Sequence, residues 1–172
     1  MYVAEGSDAV FPACHVTGHP QPVVTWSKSF GQLPQKRLQF RNSVVKLLDA
    51  RKVDSDSYLC TTRNTLGSVV KKTLLVVVPL PRLSVKPLLK VFVSSGDTLT
   101  LNCSATGDPE PVIRWKRVGA QLPTGRTQQI NGALVIRDTE MNGTGNYICV
   151  ATSAGVSDVE TATSIKVIGK GK

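Results

Sequence analysis

The sequence has little of what most active sites and nucleic-acid surfaces require. Among its 172 residues there are two histidines, and aromatic side chains make up 5%. It contains no run of carboxylates, no Cys-x-x-Cys motif and no glycine-rich phosphate loop. His15 and His19 flank one loop without matching ligands, so we expect both to face solvent. These absences argue against an enzyme, a metal site or a cofactor, and they leave few rings on which nucleic-acid bases could stack.

Long apolar stretches are also missing. No run approaches the roughly 20 residues that cross a bilayer, and the N-terminus has neither the basic nor the apolar region of a signal peptide. We therefore expect no membrane span and no signal peptide in this chain, which would be a fragment if its parent is secreted. The hydrophobic content of 41% is that of a folding chain, and the net charge of +9 favours anionic partners.

The sequence repeats itself at an offset of 89 residues. Four landmarks of the first copy return in the second, without a gap between the cysteines: Cys14, Trp26, Tyr58 and Cys60 match Cys103, Trp115, Tyr147 and Cys149. The motifs Gly-x-Pro-x-Pro-Val and Gln-Leu-Pro recur at the same offset. A fixed period of this kind indicates a duplicated domain, and we predict domains at residues 1–79 and 80–172.

Both copies predict short β-strands rather than helices. In the second copy, Leu99, Leu101 and Cys103 alternate with polar residues, as a strand with one buried face requires. The same alternation around Trp115 turns its indole inward and its two neighbours outward. Comparable short runs fill the rest of each copy, so the predicted class is all-β.

The order Cys, Trp, Tyr, Cys is combined here with Gly-x-Pro-x-Pro before each Trp, and with Asp54 four residues before Tyr58. This pattern resembles the immunoglobulin superfamily, specifically its I set, over nearly the whole chain. The resemblance implies two tandem β-sandwiches, each with one inter-sheet disulfide. In each, the Trp would pack against the bridge and the Tyr would bond to the turn behind it.

Four cysteines can pair in three ways, and the repeat selects Cys14 with Cys60 and Cys103 with Cys149. Each bridge would close a loop of about 47 residues and stabilise the fold by roughly 4 kcal/mol. The alternative is buried free thiols, as in intracellular muscle I-set domains. Because both pairs are complete, we favour an oxidising compartment.

Three features of the sequence depart from the family pattern. The first copy begins so close to its second strand that most of its N-terminal strand is missing. Pro12 replaces the counterpart of Leu101, and a proline cannot donate to a strand ladder, so an edge position or a break is expected there. Gly143 stands where the first copy has Asp54, so the second tyrosine is predicted to lack the customary acidic partner.

Two sequons agree with an extracellular location. Asn142-Gly143-Thr144 lies in the turn before Tyr147, where an exposed asparagine could accept a glycan. Asn102 also fits the formula and is predicted to face outward, but the central cysteine makes it the weaker candidate.

Basic residues are spread over both copies rather than collected in a tail. The candidates for contact with an anion or a partner are Lys36, Arg37, Arg41, Arg51, Lys52, Arg114, Lys116 and Arg117. The last three are predicted to stand on the outer side of the Trp115 strand, beside Ile148 and Val150. A mixed apolar and basic face of this kind suits partner binding; the alternative is an ordinary solvated surface.

Three functions remain open at this point. The leading hypothesis is a non-catalytic recognition module of an adhesion, receptor or matrix protein, with homophilic or heterophilic protein partners. The second is a module that binds heparan sulfate, which the resemblance and the charge both favour over nucleic acid. The third is an intracellular structural module of a giant muscle-type protein.

Overall fold

The computed structural model describes residues 1–14, 17–41 and 44–170. The chain forms two compact units, Met1–Pro79 and Leu80–Lys172, here called the first and second unit. Both are built from β-strands and short 3-10 turns, which confirms the all-β prediction. No helix in these described ranges is long and apolar enough to span a membrane.

The first unit consists of two facing sheets. Its strands are β1 (Tyr2–Ala4), β2 (Ala9–Phe11), β3 (Val23–Lys28), β4 (Leu38–Arg41), β5 (Val44–Leu47), β6 (Asp56–Asn64) and β7 (Gly67–Val78). One sheet has the order β1-β7-β6-β3 and the other the order β2-β5-β4. Strand β2 ends just before Pro12, as expected of a residue that cannot donate to the ladder.

The second unit repeats this arrangement and adds strands. They are β8 (Arg82–Val85), β9 (Lys90–Ser94), β10 (Leu99–Leu101), β11 (Ser104–Thr106), β12 (Val112–Arg117), β13 (Thr127–Ile130), β14 (Ala133–Ile136), β15 (Gly145–Ser153) and β16 (Ser157–Ile168). The sheets have the orders β9-β16-β15-β12 and β10-β14-β13, and β8 pairs with β11. Strand β1 of the first unit corresponds to β9 of the second, since each runs parallel to the final strand of its own unit.

Each core is built around a disulfide. The sulfur atoms of Cys14 and Cys60 are 1.96 Å apart and those of Cys103 and Cys149 are 2.00 Å apart, so the predicted pairing is confirmed. In the second unit the Trp115 side chain is buried and donates its indole N–H to the carbonyl of Gly132 at 2.9 Å.

The two disulfides differ in their access to solvent. Cys103 is 3% exposed, whereas Cys14 is only half-buried. In the second unit β8 lies beside this part of the sandwich, and Leu83 on that strand packs against the core. In the first unit, a cleft beside Cys14 is lined by Thr62, Val69 and Lys71.

We expect a small thiol reductant to open the Cys14–Cys60 bridge before the Cys103–Cys149 bridge. Thiol exchange requires a thiolate to reach a sulfur atom, and only the first bridge has a half-exposed cysteine. Partial reduction of the native chain, followed by alkylation and peptide mass spectrometry, measures both rates in one sample. Equal rates in native buffer would contradict this expectation, and denaturant should abolish the difference.

Candidate binding surfaces

Both tyrosines make the same hydrogen bond to the turn behind them. The Tyr58 hydroxyl donates to the carbonyl of Asp54 at 2.7 Å, and the Tyr147 hydroxyl donates to the carbonyl of Gly143 at 2.7 Å. Burial raises the pKa of Tyr58 to about 12, with a further contribution from the charges of Asp54 and Asp56, and burial also raises the pKa of Tyr147. Because a backbone carbonyl accepts the bond, the loss of an acidic side chain at Gly143 leaves it intact.

The acidic side chain of Asp54 serves an arginine instead. Arg37 donates two hydrogen bonds to the Asp54 carboxylate, at 2.8 and 2.7 Å, and a third to the carbonyl of Asp49 at 3.0 Å. Burial acts to raise the pKa of Asp54, but the Arg37 guanidinium and the backbone N–H of Arg51 outweigh it, and the pKa is lowered. Arg37 therefore holds the turn in place, which corrects its interpretation as an anion-binding residue.

The second unit has an equivalent arginine–carboxylate pair, but its acidic residue lies three positions earlier in the repeat than Asp54 does. Arg126, the counterpart of Arg37, pairs with Glu140 at 2.7 Å and donates to the carbonyl of Asp138 at 2.9 Å. Glu140 corresponds to Arg51 in the repeat, and its side chain is 57% exposed. The sequence interpretation missed that Glu140 takes the place of Asp54 as the acidic partner, although the offset of 89 residues aligns Arg126 with Arg37.

The other basic candidates of the first unit are exposed. Lys36 and Lys52 lie in short 3-10 turns, and Arg51 sits 3.7 Å from the carboxylate of Asp49. Arg41 ends β4, three residues beyond the Leu38–Leu47 pair that lies next to the Arg37 turn.

In the second unit, the outer face of β12 and β15 has the predicted mixed character. Arg114 and Lys116 are exposed, and β12 pairs them with Val150 and Ile148 of β15, both half-buried. These two apolar residues alternate with buried Cys149, so they face away from the core.

The placement of Arg117 on this outer face is wrong. Its guanidinium donates to the carbonyls of Asn142 at 2.6 Å and Thr144 at 3.0 Å, and it lies 5.5 Å from the centre of the Tyr147 ring. Strand alternation puts Arg117 on the same side as Trp115, at the rim of the core. Lys28 occupies the matching position over the Tyr58 ring in the first unit.

The sequence interpretation missed two acidic residues on the same outer face. The register of β15 and β16 places Asp158 beside Thr152 and Glu160 beside Val150. Both carboxylates are exposed, and Glu160 lies 3.8 Å from the ammonium group of Lys116. The alternation of polar and apolar residues along β16 carried this signal. The face is therefore basic on one side and acidic on the other.

Both sequon asparagines are exposed, Asn142 in the 3-10 turn Met141–Gly143 and Asn102 between β10 and β11. His19 is exposed, and His15 lies outside the described residues. Within the described ranges, no group of three or more His, Cys, Asp or Glu side chains could hold a metal ion.

Two family models match the chain, the immunoglobulin I-set domain at residues 1–77 and an immunoglobulin domain at residues 81–153. Contactin-5 of Danio rerio is 35% identical over 140 residues, which cover 80% of this chain and 13% of that protein. Hemicentin-2 of Mus musculus is 33% identical over 154 residues, 86% of this chain and 3% of that protein. The mouse basement membrane-specific heparan sulfate proteoglycan core protein is 31% identical over 140 residues, which cover 81% of this chain and 4% of that protein.

Solved structures show the same fold. Extracellular domains 3-5 of Drosophila OTK superpose with a TM-score of 0.68 at 22% identity, covering 99% of this chain and 59% of that one. An I-band fragment from titin gives 0.64 at 22% identity, covering 98% and 62%. The chain spans only a small part of Contactin-5, Hemicentin-2 and the proteoglycan core protein, at most 13% of their lengths.

Proposed function

Since the chain belongs to the immunoglobulin superfamily, we propose that it is a non-catalytic recognition module that binds protein partners through the outer faces of its sandwiches. The observation that carries this proposal is the face formed by β12, β15 and β16. Its half-buried Ile148 and Val150 lie between charged side chains and have no role in the core of their own unit. Protein interfaces combine an apolar centre with a charged rim in this way.

The test is a cell-surface binding screen with the full chain, multimerised and fluorescently labelled. We expect binding to cells that display the partner, lost in Arg114→Glu and kept in Arg137→Glu. The second variant is a matched control because it reverses the same charge just after β14, in the opposite sheet. No binding to any cell type, or equal loss in both variants, would overturn the proposal.

We place the module outside the cell, in an adhesion, receptor or matrix protein. Both cysteine pairs are bonded, and Asn142 is open to the glycosylation machinery. The likeness to titin is one of fold alone and does not separate this location from an intracellular structural role. After secretion from cultured cells, we expect intact bridges and a glycan on Asn142 by mass spectrometry; four free thiols would support the intracellular alternative.

A second candidate function is binding of heparan sulfate. Lys36, Arg41 and Lys52 are exposed and form no ion pair within the described ranges, unlike Arg37 and Arg51. Such contacts weaken steeply with salt. If they bind sulfates, neutralising all three should lower the salt concentration at which the chain elutes from immobilised heparin. Elution at or below physiological salt that is unchanged in this variant would remove the candidate.

A further inference from the structure

The outer face of the second unit carries opposite charges on its two sides. Arg114 and Lys116 project from β12, whereas Asp158 and Glu160 project from β16, and all four side chains are exposed. Two other lysines, Lys90 and Lys166, lie at the far end of this sheet, beyond the last residue of β12. The basic and acidic edges therefore face each other over the length of β12.

Strand β15 runs between these edges and supplies apolar side chains. Its register places Val150 in one row with Arg114 and Glu160, and Ile148 in the next row with Lys116. The row of Ile148 ends in Ala162 on β16, and Asp158 lies in the row of Thr152 and Val112. The row of Arg114, Val150 and Glu160 therefore reads basic, apolar and acidic, and the flanking rows add Lys116 on the β12 side and Asp158 on the β16 side. This makes the face complementary to its own image after one particular rotation.

Two sheets that pack face to face can be related by a two-fold axis in the plane between them, either along the strands or across them. An axis across the strands would set β12 over β12 and β16 over β16, which brings like charges together. An axis along β15 sets β12 over β16 at the same height. Arg114 then meets Glu160 of the second copy twice, and Val150 meets its own symmetry mate.

We propose that this face forms a two-fold homodimer in which β12 of each copy lies over β16 of the other. The proposal rests on the recognition function proposed above and names a second copy of this chain as its partner. Arg114 is free for the contact, since it makes no ion pair among the residues that the structure describes. Glu160 has only an exposed contact of 3.8 Å with Lys116 to rearrange.

The size of the face sets the strength of the dimer. Three strands spaced about 4.8 Å apart, with three rows of outward side chains, cover roughly 300 Å² in projection. Stable complexes bury about 800 Å² on each partner. The dimer should therefore be weak, populated at high protein concentration or when several copies are displayed on one surface, and it should dissociate as salt is added.

The experiment is sedimentation of the full 172-residue chain over a range of concentrations at low salt. We expect reversible dimers of the wild-type chain. Arg114→Glu sets two carboxylates against each other, and Glu160→Arg sets two guanidinium groups against each other. Each variant alone should lose association by about tenfold or more. The control Arg137→Glu should associate like the wild type.

Mixing the two variants tests whether opposite charges at positions 114 and 160 drive the association. In a mixed dimer, the glutamate introduced at position 114 of one copy meets the arginine introduced at position 160 of the other, and the native Arg114 and Glu160 also meet. Equal amounts of the two variants should therefore recover the lost association. The single variants distinguish the two geometries, because in a β12-over-β12 arrangement each reversal replaces one pair of like charges with another and would not weaken the association.

Three outcomes would overturn the homodimer: a wild-type chain that stays monomeric up to about 1 mM, single variants that associate normally, or a mixture that does not recover. Circular dichroism of each variant separates misfolding from loss of contact. If the chain binds cells but never itself, this inference fails while the proposed recognition function stands. If it binds neither, both fail.

Discussion

Replacing Arg37 with alanine is expected to destabilise the first unit by about 3 kcal/mol, at the lower end of the range for breaking a buried ion pair. Asp54 is 3% exposed, and the variant would leave its carboxylate with the backbone N–H of Arg51 as its remaining donor in this contact. The turn Lys52–Asp54, whose last carbonyl accepts the Tyr58 hydroxyl, should loosen with it. Amide hydrogen exchange across a urea series reads the stability of each unit from its own peptides.

The second unit provides the matched comparison. Arg126→Ala should cost its unit about 1 kcal/mol or less, because Glu140 is 57% exposed and water can solvate it when the arginine is gone. Equal losses in the two variants would show that burial of the acidic partner does not decide the cost.

The Arg37–Asp54 pair also makes the first unit sensitive to acid. The pKa of Asp54 is lowered in the folded state, so its stabilisation is present above the pKa of an unfolded aspartate, about 3.9. It is lost as the pH falls through the lower, folded value. In Arg37→Ala the acid-dependent loss between about pH 5 and pH 2 should become smaller. If the free energy of unfolding of the first unit falls equally steeply with acid in this variant, other carboxylates control its acid sensitivity.

Gly132→Ala is expected to destabilise the second unit by about 3 kcal/mol or more. A Cβ added at Gly132 would clash with the carbonyl oxygen of Cys103, and the residue has a φ of +85°. A backbone oxygen next to a disulfide cannot swing aside as a side chain can. The shift would also disturb the carbonyl that accepts the Trp115 indole N–H.

Gly125→Ala separates the clash from the backbone strain. Gly125 has a φ of +77° but nothing within 4 Å of its added Cβ, so only the strain of about 1 kcal/mol applies. The urea midpoint of the second unit, measured by amide hydrogen exchange of its own peptides, reports the stability of both variants. If the two alanine variants lose equal stability, the close approach to Cys103 has no energetic weight.

The repeat made the architecture predictable because each copy carries its own landmarks. The spacing of Cys, Trp, Tyr and Cys, and the alternation around Trp115, are local patterns that a strand with one buried face must show. These patterns alone predicted an all-β chain with the bridges Cys14–Cys60 and Cys103–Cys149.

The roles of the charged residues were less predictable. Arg37 and Arg117 both look like surface cations in the sequence, yet one is held by Asp54 and the other covers the Tyr147 ring. Strand alternation could have predicted the position of Arg117, because it lies two residues after Trp115 and therefore on the same side of β12. Nothing local distinguishes Arg37 from Lys36, because its partner lies 17 residues away.

By itself, the sequence determined the class, the family and the disulfide pairs, since these depend on the identity and period of residues within each copy. Only the tertiary structure decided which cations are free and that Asp158 and Glu160 face Arg114 and Lys116 across β15. Those relations join strands that are distant in the chain. Their physical cause is the register of the β-sheet, which places a charge beside its neighbour regardless of their separation in sequence.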